Sequence, residues 1–222
     1  MSKLKLIHSG GNAVSLNPPT LGAPATADVA LKLPTTIGTA GQFLTVDGSG
    51  NLVWADPPGI THYDCWRLTT NTTDEDRDPL GAVEALERAI DANGDRSGFG
   101  TIGAPMTESS GIFSFPVTGY WKVEFQAAVH CADANADIDT KIGVTTDGGT
   151  TWEPLTRAEG SAGNDGDFST PQNNYCSVVV DVTNVSQVKV KMMVYNEDAQ
   201  AVILGDGDYN RTCIMFTRLG AT

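Results

Sequence analysis

Strict alternation of apolar and polar residues is the feature that most constrains this chain. Trp121, Val123, Phe125, Ala127 and Val129 fall on one side of a segment whose other side carries Lys122, Glu124 and Gln126. Successive side chains of an extended strand point to opposite faces, so the pattern predicts a strand with one buried face. Ile138, Thr140, Ile142 and Val144 alternate with Asp137, Asp139 and Lys141, and Val188, Val190, Met192 and Val194 oppose Lys189 and Lys191. Further strand candidates are His62–Thr69, Gly111–Phe115, Tyr175–Val182, Ala201–Leu204 and Arg211–Arg218. Val117-Thr118-Gly119, Asp147-Gly148-Gly149 and Gly205-Asp206-Gly207-Asp208 supply turns between them. Many short strands punctuated in this way predict an all-β chain, an antiparallel sandwich or jelly roll.

One stretch breaks the period of two. Pro79–Ala92 places Val83, Leu86, Ala89 and Ile90 at helical intervals behind Asp78, a residue suited to capping. The spacing predicts a short helix there, followed by a surface loop over Asn93–Gly100.

The first 58 residues have a different texture. Pro18-Pro19, Pro24 and Pro34 interrupt them, and small residues fill the gaps. Proline favours extended chain over helix, so residues 1–58 are expected to form an arm linked through Asp56-Pro57-Pro58-Gly59 to a head over 59–222. Within the arm, Leu44 and Val46 lead into Asp47-Gly48-Ser49-Gly50-Asn51, and Leu52, Val53 and Trp54 return, which predicts a hairpin. Isolated hairpins are marginal in water. This one is expected to lean on copies of itself from other chains.

The formal net charge of −13 argues against binding to nucleic acid or to anionic membrane surfaces, both of which draw on Lys and Arg. No apolar run follows the lysines of Met1–Ile7, so the sequence reads as leaderless and folding in the cytosol of the producing cell. Cys65, Cys131, Cys176 and Cys213 lack close pairing, which favours buried free thiols over a four-thiolate metal site. Asp91–Asp95, Asp133–Asp137, Glu197-Asp198, Asp206 and Asp208 read as solvated loop charge, with neither the glycine nor the glutamate of a helix-loop-helix calcium site. His8, His62 and His130 stand in no catalytic motif, and no phosphate loop, zinc helix or nucleophile elbow occurs. The chain is therefore read as a non-enzyme without cofactor or metal. Thr145–Trp152 fits the Asp-box pattern, in which an aspartate and glycines close a tight hairpin over an aromatic residue. The single copy rules against a propeller. Loop position and chemistry nominate Asp95, Arg96, Phe99, Trp152, Asp165, Phe168, Tyr195 and Tyr209 as contact residues at loop tips.

Two resemblances add to this reading. The Gly38-Thr39-x-Gly41-Gln42-x-Leu44-x-x-Asp47-Gly48-x-Gly50-x-Leu52-x-Trp54 wording resembles units of fibre and appendage proteins of tailed bacteriophages. The Phe113-x-Phe115-Pro116-x-x-Gly119-Tyr120-Trp121 core and the last strand, Arg211–Leu219, resemble tumour-necrosis-factor-like jelly rolls and complement-type globular heads over about residues 61 to 220. The Pro79–Ala92 segment departs from that compact pattern. Such heads are usually trimers, which implies a homotrimer with either the Trp121 face or the Cys213–Met215 side near the axis. Together the resemblances imply a virion-surface protein that contacts other capsid or tail proteins through residues 1–58 and a host-surface glycan or protein through its head. A short fibre is preferred slightly over a capsid decoration protein. Outside that class, a glycan-cleaving enzyme would need converging carboxylates, and a secreted cytokine-like ligand would need a leader.

Overall fold

The computed structural model describes residues 4–7, 13–16, 32–55, 59–72, 76–82, 84–89, 101–131, 136–164, 169–170, 172–196 and 201–222. All regular structure among them is β, and the chain divides into two compact units, Met1–Pro57 and Pro58–Thr222.

The described residues of the first unit include two antiparallel pairs. Strand β1 (Leu4–Ile7) pairs with β2 (Ala13–Leu16), and β3 (Phe43–Val46) pairs with β4 (Leu52–Ala55). The second pair is the expected hairpin. Its loop is held by Asp47, whose Oδ1 accepts hydrogen bonds from the Ser49 and Asn51 amides at 2.9 and 2.8 Å. Those bonds and the one from the Asn51 side chain hold the Asp47 carboxyl below the usual aspartate range. The Trp54 indole donates to the Thr36 carbonyl at 2.9 Å and lies flat against Gly38, where a Cβ would come within 2.6 Å of the ring. Only glycine permits that approach. Leu33, Ile37, Phe43, Leu44 and Val46 remain exposed.

The second unit packs two sheets face to face. In the first, the order is β13 (Gln172–Val182), β9 (Gly119–Cys131), β16 (Cys213–Gly220), β5 (Tyr63–Leu68) and β6 (Leu86–Arg88), with β15 (Ala201–Ile203) also paired to β9. In the second it is β12 (Ser169–Thr170), β11 (Glu153–Asn164), β10 (Ala136–Thr145), β14 (Lys189–Asn196), β8 (Ile112–Ser114) and β7 (Thr107–Ser109). Every ladder here is antiparallel, and strands far apart in sequence, such as β5 and β16 or β8 and β14, are hydrogen-bonded neighbours, as in a jelly roll.

The core is built by the alternation that dominates the sequence. Trp121, Val123, Phe125, Ala127 and Val129 of β9 face inward with Ile214 and Phe216, against Phe113, Ile142, Val190, Met192 and Val194 of the other sheet. Phe113 and Phe216 lie 5.0 Å apart between ring centroids, and Phe115 and Trp121 5.3 Å, within the range of favourable aromatic pairs. Burying each such ring contributes about 1.5–3 kcal/mol. Trp121 is thus a core residue, and its face is unavailable to a trimer axis.

The expected helix over 79–92 does not form. Its described residues make a turn at Pro79–Ala82 and then strand β6. The reason lies in where the amides go. Arg77 and Leu80 donate to Val194 and Met192 at 2.8 Å each, so this segment extends the second sheet beside β14. Ala89 donates to Cys65 at 2.8 Å, and Leu86 pairs with Leu68 in the first sheet. Two strand edges offer partners that a short helix cannot match, and pairing overrides helical spacing.

Strand β11 carries no strong apolar alternation. Its inward positions include Gly160, where a Cβ would come within 2.1 Å of Asn174 Oδ1. Asn174 is buried and donates to the Ile138 carbonyl at 3.0 Å, so a polar side chain fills the space that β11 leaves open.

Candidate functional site

Of the eight nominated contact residues, Asp95, Arg96, Phe99, Asp165 and Phe168 lie outside the described residues. Trp152 and Tyr195 are linked not to each other but through Lys191 and Asp78, away from loop tips. Tyr195 stands on the outer face of β14, directly across from Asp139 of β10. Its hydroxyl donates to Asp78 Oδ2 at 3.2 Å, and the Lys141 ammonium lies 4.4 Å from its ring centre. Burial and the Asp78 carboxylate raise the Tyr195 hydroxyl above its ordinary pKa. Trp152 is half-buried beneath the β10–β11 loop, its indole donating to Gly149 O at 3.2 Å. Lys191 joins the two residues, with its ammonium 4.9 Å from the Trp152 ring centre and ion-paired to Asp78. Both aromatic faces are thereby covered by cations of the same chain. Tyr209, 59% exposed in the loop before β16, is the described nominee that keeps the expected loop-tip position.

The Asp-box reading is met locally. Asp147 accepts hydrogen bonds from the Thr150 and Thr151 amides at 3.0 and 2.9 Å and from the Thr145 and Thr151 hydroxyls at 2.7 Å each. These bonds, led by Thr151, hold its carboxyl far below the usual aspartate range. The aspartate organises a turn and presents no free group for chemistry.

A cleft of about 360 Å³ lies over β10 and β11, lined by Asp137, Ile138, Asp139, Arg157, Glu159, Gly160 and Ser161. Its charges are spent on each other. Arg157 pairs with Asp139 at 2.6 Å and also with Glu159, and Ser161 donates to Asp137. Among the described residues, no three His, Cys, Asp or Glu side chains converge as a metal site.

The outer face of the first sheet carries a different chemistry, which the sequence reading missed. Tyr120, Tyr175, Val179 and Leu219 are exposed there, Val179 and Leu219 by 54% and 57%. Their positions scatter over three strands, so only the register β13–β9–β16 gathers them. At the centre, Glu124 accepts from Lys122 Nζ at 2.7 Å and from the Tyr175 hydroxyl at 2.5 Å. Burial works to raise its carboxyl, but those hydrogen bonds prevail and hold it below the usual value. Beside it, Cys65, Ala89 and Cys213 form a small buried cluster with Tyr63 and Met215 against it, separate from the main core. Hydrogen bonding with Cys213 draws the Cys65 thiol below its ordinary pKa, and the same contact raises Cys213. Cys176 is buried on the core side, its thiol pushed up to about 11 by burial.

No protein-family model matches the sequence, and no curated protein matches it. Solved structures do match. The structure of Eiger TNF from S. frugiperda superposes with a TM-score of 0.52 at 11% identity, over 74% of this chain and 96% of that one. Murine APRIL, crystallised at pH 8.5, gives a TM-score of 0.48 at 13% identity over 71% and 98%. At 11% identity the likeness to Eiger is one of fold, and it agrees with the strand order above: the head is a TNF-like antiparallel jelly roll.

Proposed function

We propose that this chain is a homotrimeric structural protein on the surface of a tailed-phage virion, acting by binding and not by catalysis. Residues 1–58 serve as the attachment arm, and the jelly-roll head faces outward toward a host-surface glycan or protein. The observation that carries the trimer is the outer face of the β13–β9–β16–β5–β6 sheet, where Tyr120, Tyr175, Val179 and Leu219 expose apolar area around a hydrogen-bonded Lys122–Glu124–Tyr175 centre. An apolar, aromatic patch with a satisfied polar centre suits contact between copies. The virion assignment draws on the phage-like wording of residues 36–54 and on the exposed apolar residues of the first unit, which need a covering surface. Capsid decoration is the second reading. It is favoured by the proline-broken arm, which contains no repeated shaft units and suits clamping between capsid subunits.

Light scattering over a dilution series tests the assembly. Full-length protein is expected at the mass of three 23.4-kDa chains, and Val179→Asp is expected to shift it to one. A monomeric wild type, or a Val179→Asp variant that remains trimeric, removes this face as the interface.

A further inference from the structure

The sulfur cluster lies on the same outer face but goes beyond the function proposed above, and one chain supplies every group. Cys65 on β5 stands directly opposite Met215 on β16, and Cys213 lies two residues before Met215 on the same strand and face. The three sulfurs therefore occupy adjoining positions on two hydrogen-bonded strands. Cys65 and Cys213 are less than a tenth exposed, and Met215 packs over them with Tyr63. The Asn210 side-chain amide aims a hydrogen at Cys65 Sγ from 3.9 Å, as second-layer donors do at ligating sulfurs.

We propose that Cys65, Cys213 and Met215 form a three-sulfur site for a copper(I) ion. Register disfavours a disulfide. Cys213 lies opposite Arg67, so Cys65 and Cys213 are diagonal neighbours. Diagonal positions are about 7–8 Å apart, beyond the usual Cα separation of a disulfide. Both thiols are free and lie within hydrogen-bonding reach of each other, so both sulfurs are available to one ion. The donor set selects the metal. Two thiolates and a thioether are soft ligands suited to copper(I), whereas zinc takes four ligands from cysteine, histidine and carboxylate. The nearest carboxylate across β16, Glu124, is already held by Lys122 and Tyr175.

The test is an anaerobic titration of full-length protein with copper(I) against a chromophoric copper(I) chelator, followed by X-ray absorption at the copper edge. One ion per chain with a first shell of three sulfurs is expected. Cys65→Ser and Cys213→Ser should each weaken binding by at least roughly 100-fold, the upper range for losing a mere second-layer partner. Met215→Leu should leave two sulfurs in the shell, and Cys176→Ser should bind as the wild type does. Circular dichroism on each variant separates loss of the site from loss of fold, with Met215→Leu as the variant that best preserves packing. Wild-type affinity in Cys65→Ser, a sulfur count unchanged in Met215→Leu, or binding abolished by Cys176→Ser would each overturn the assignment.

Discussion

Replacing Asp64 with alanine should destabilise the head more than its single charge suggests. Asp64 is 2% exposed and points inward from β5. Its carboxylate accepts from Arg88 Nε at 2.9 and 3.2 Å, from the Trp66 indole at 3.1 Å and from the Met106 amide at 2.9 Å. Arg88 in turn donates to Met106 O at 2.9 Å and stacks 4.6 Å from the Trp66 ring centre. One carboxylate thus joins β5, β6 and the segment entering β7. Removing one partner of a buried ion pair costs about 3–5 kcal/mol, and an orphaned buried amide costs about 1–3 kcal/mol. The Arg88 side chain is 30% exposed and can recover water, which places the net loss at about 4 kcal/mol. For a domain of this size that corresponds to roughly 8–16 °C in melting temperature. Calorimetry at fixed protein concentration reads it, since any assembly makes the midpoint concentration-dependent. Asp64→Asn should lose about half as much, because its amide oxygen still accepts. In the Asp64→Ala/Arg88→Met pair the losses should fall well short of additive. A fall below about 3 °C for Asp64→Ala would refute the reasoning, since it would mean that water satisfies these donors.

Phe113→Ala removes a fully buried ring that packs on Trp66 and Phe216, and chemical denaturation should record a loss of about 3–5 kcal/mol. Asp147 has a lowered folded pKa, so its contribution to stability is present above the ordinary value of 3.8 and is lost as pH falls below it. Asp147→Ala should therefore melt lower at neutral pH and lose less than the wild type between pH 4 and pH 2, about the window in which the unfolded aspartate takes up its proton while the folded one still resists it, as thermal scans across that range will show. Gly160→Ala should destabilise by about 1–3 kcal/mol through its clash with Asn174, and adding Asn174→Gly should recover part of that in the same melt. Deleting residues 1–58 should leave a folded head with the mass of three chains that no longer co-sediments with particles.

The loop chemistry was legible where one residue type explains it. Asp47 and Asp147 each sit in a glycine-rich turn whose amides need an acceptor, and both hairpins form as read. The contact residues were less legible. Tyr195 is a strand residue because its neighbours Val194 and Met192 alternate into the core. Trp152 is drawn under its own loop by Gly149. Neither position follows from proximity to a turn.

Period-two alternation and turn residues alone determined that this chain is all-β, which segment of β9 faces the core, and where the Asp47 and Asp147 hairpins turn. Those are local properties, set by the strand repeat and by hydrogen bonds within a few residues. Tertiary structure decided what depends on which strands are neighbours. Residues 79–92 carry helical spacing yet join two sheet edges, because β5 and β14 present unpaired groups to them. Tyr175, Val179 and Leu219 form a face, and Cys65, Cys213 and Met215 a cluster, only through the register of β5, β9, β13 and β16. Residues as distant in sequence as Cys65 and Met215 become neighbours there, and no local pattern in a single sequence encodes that pairing.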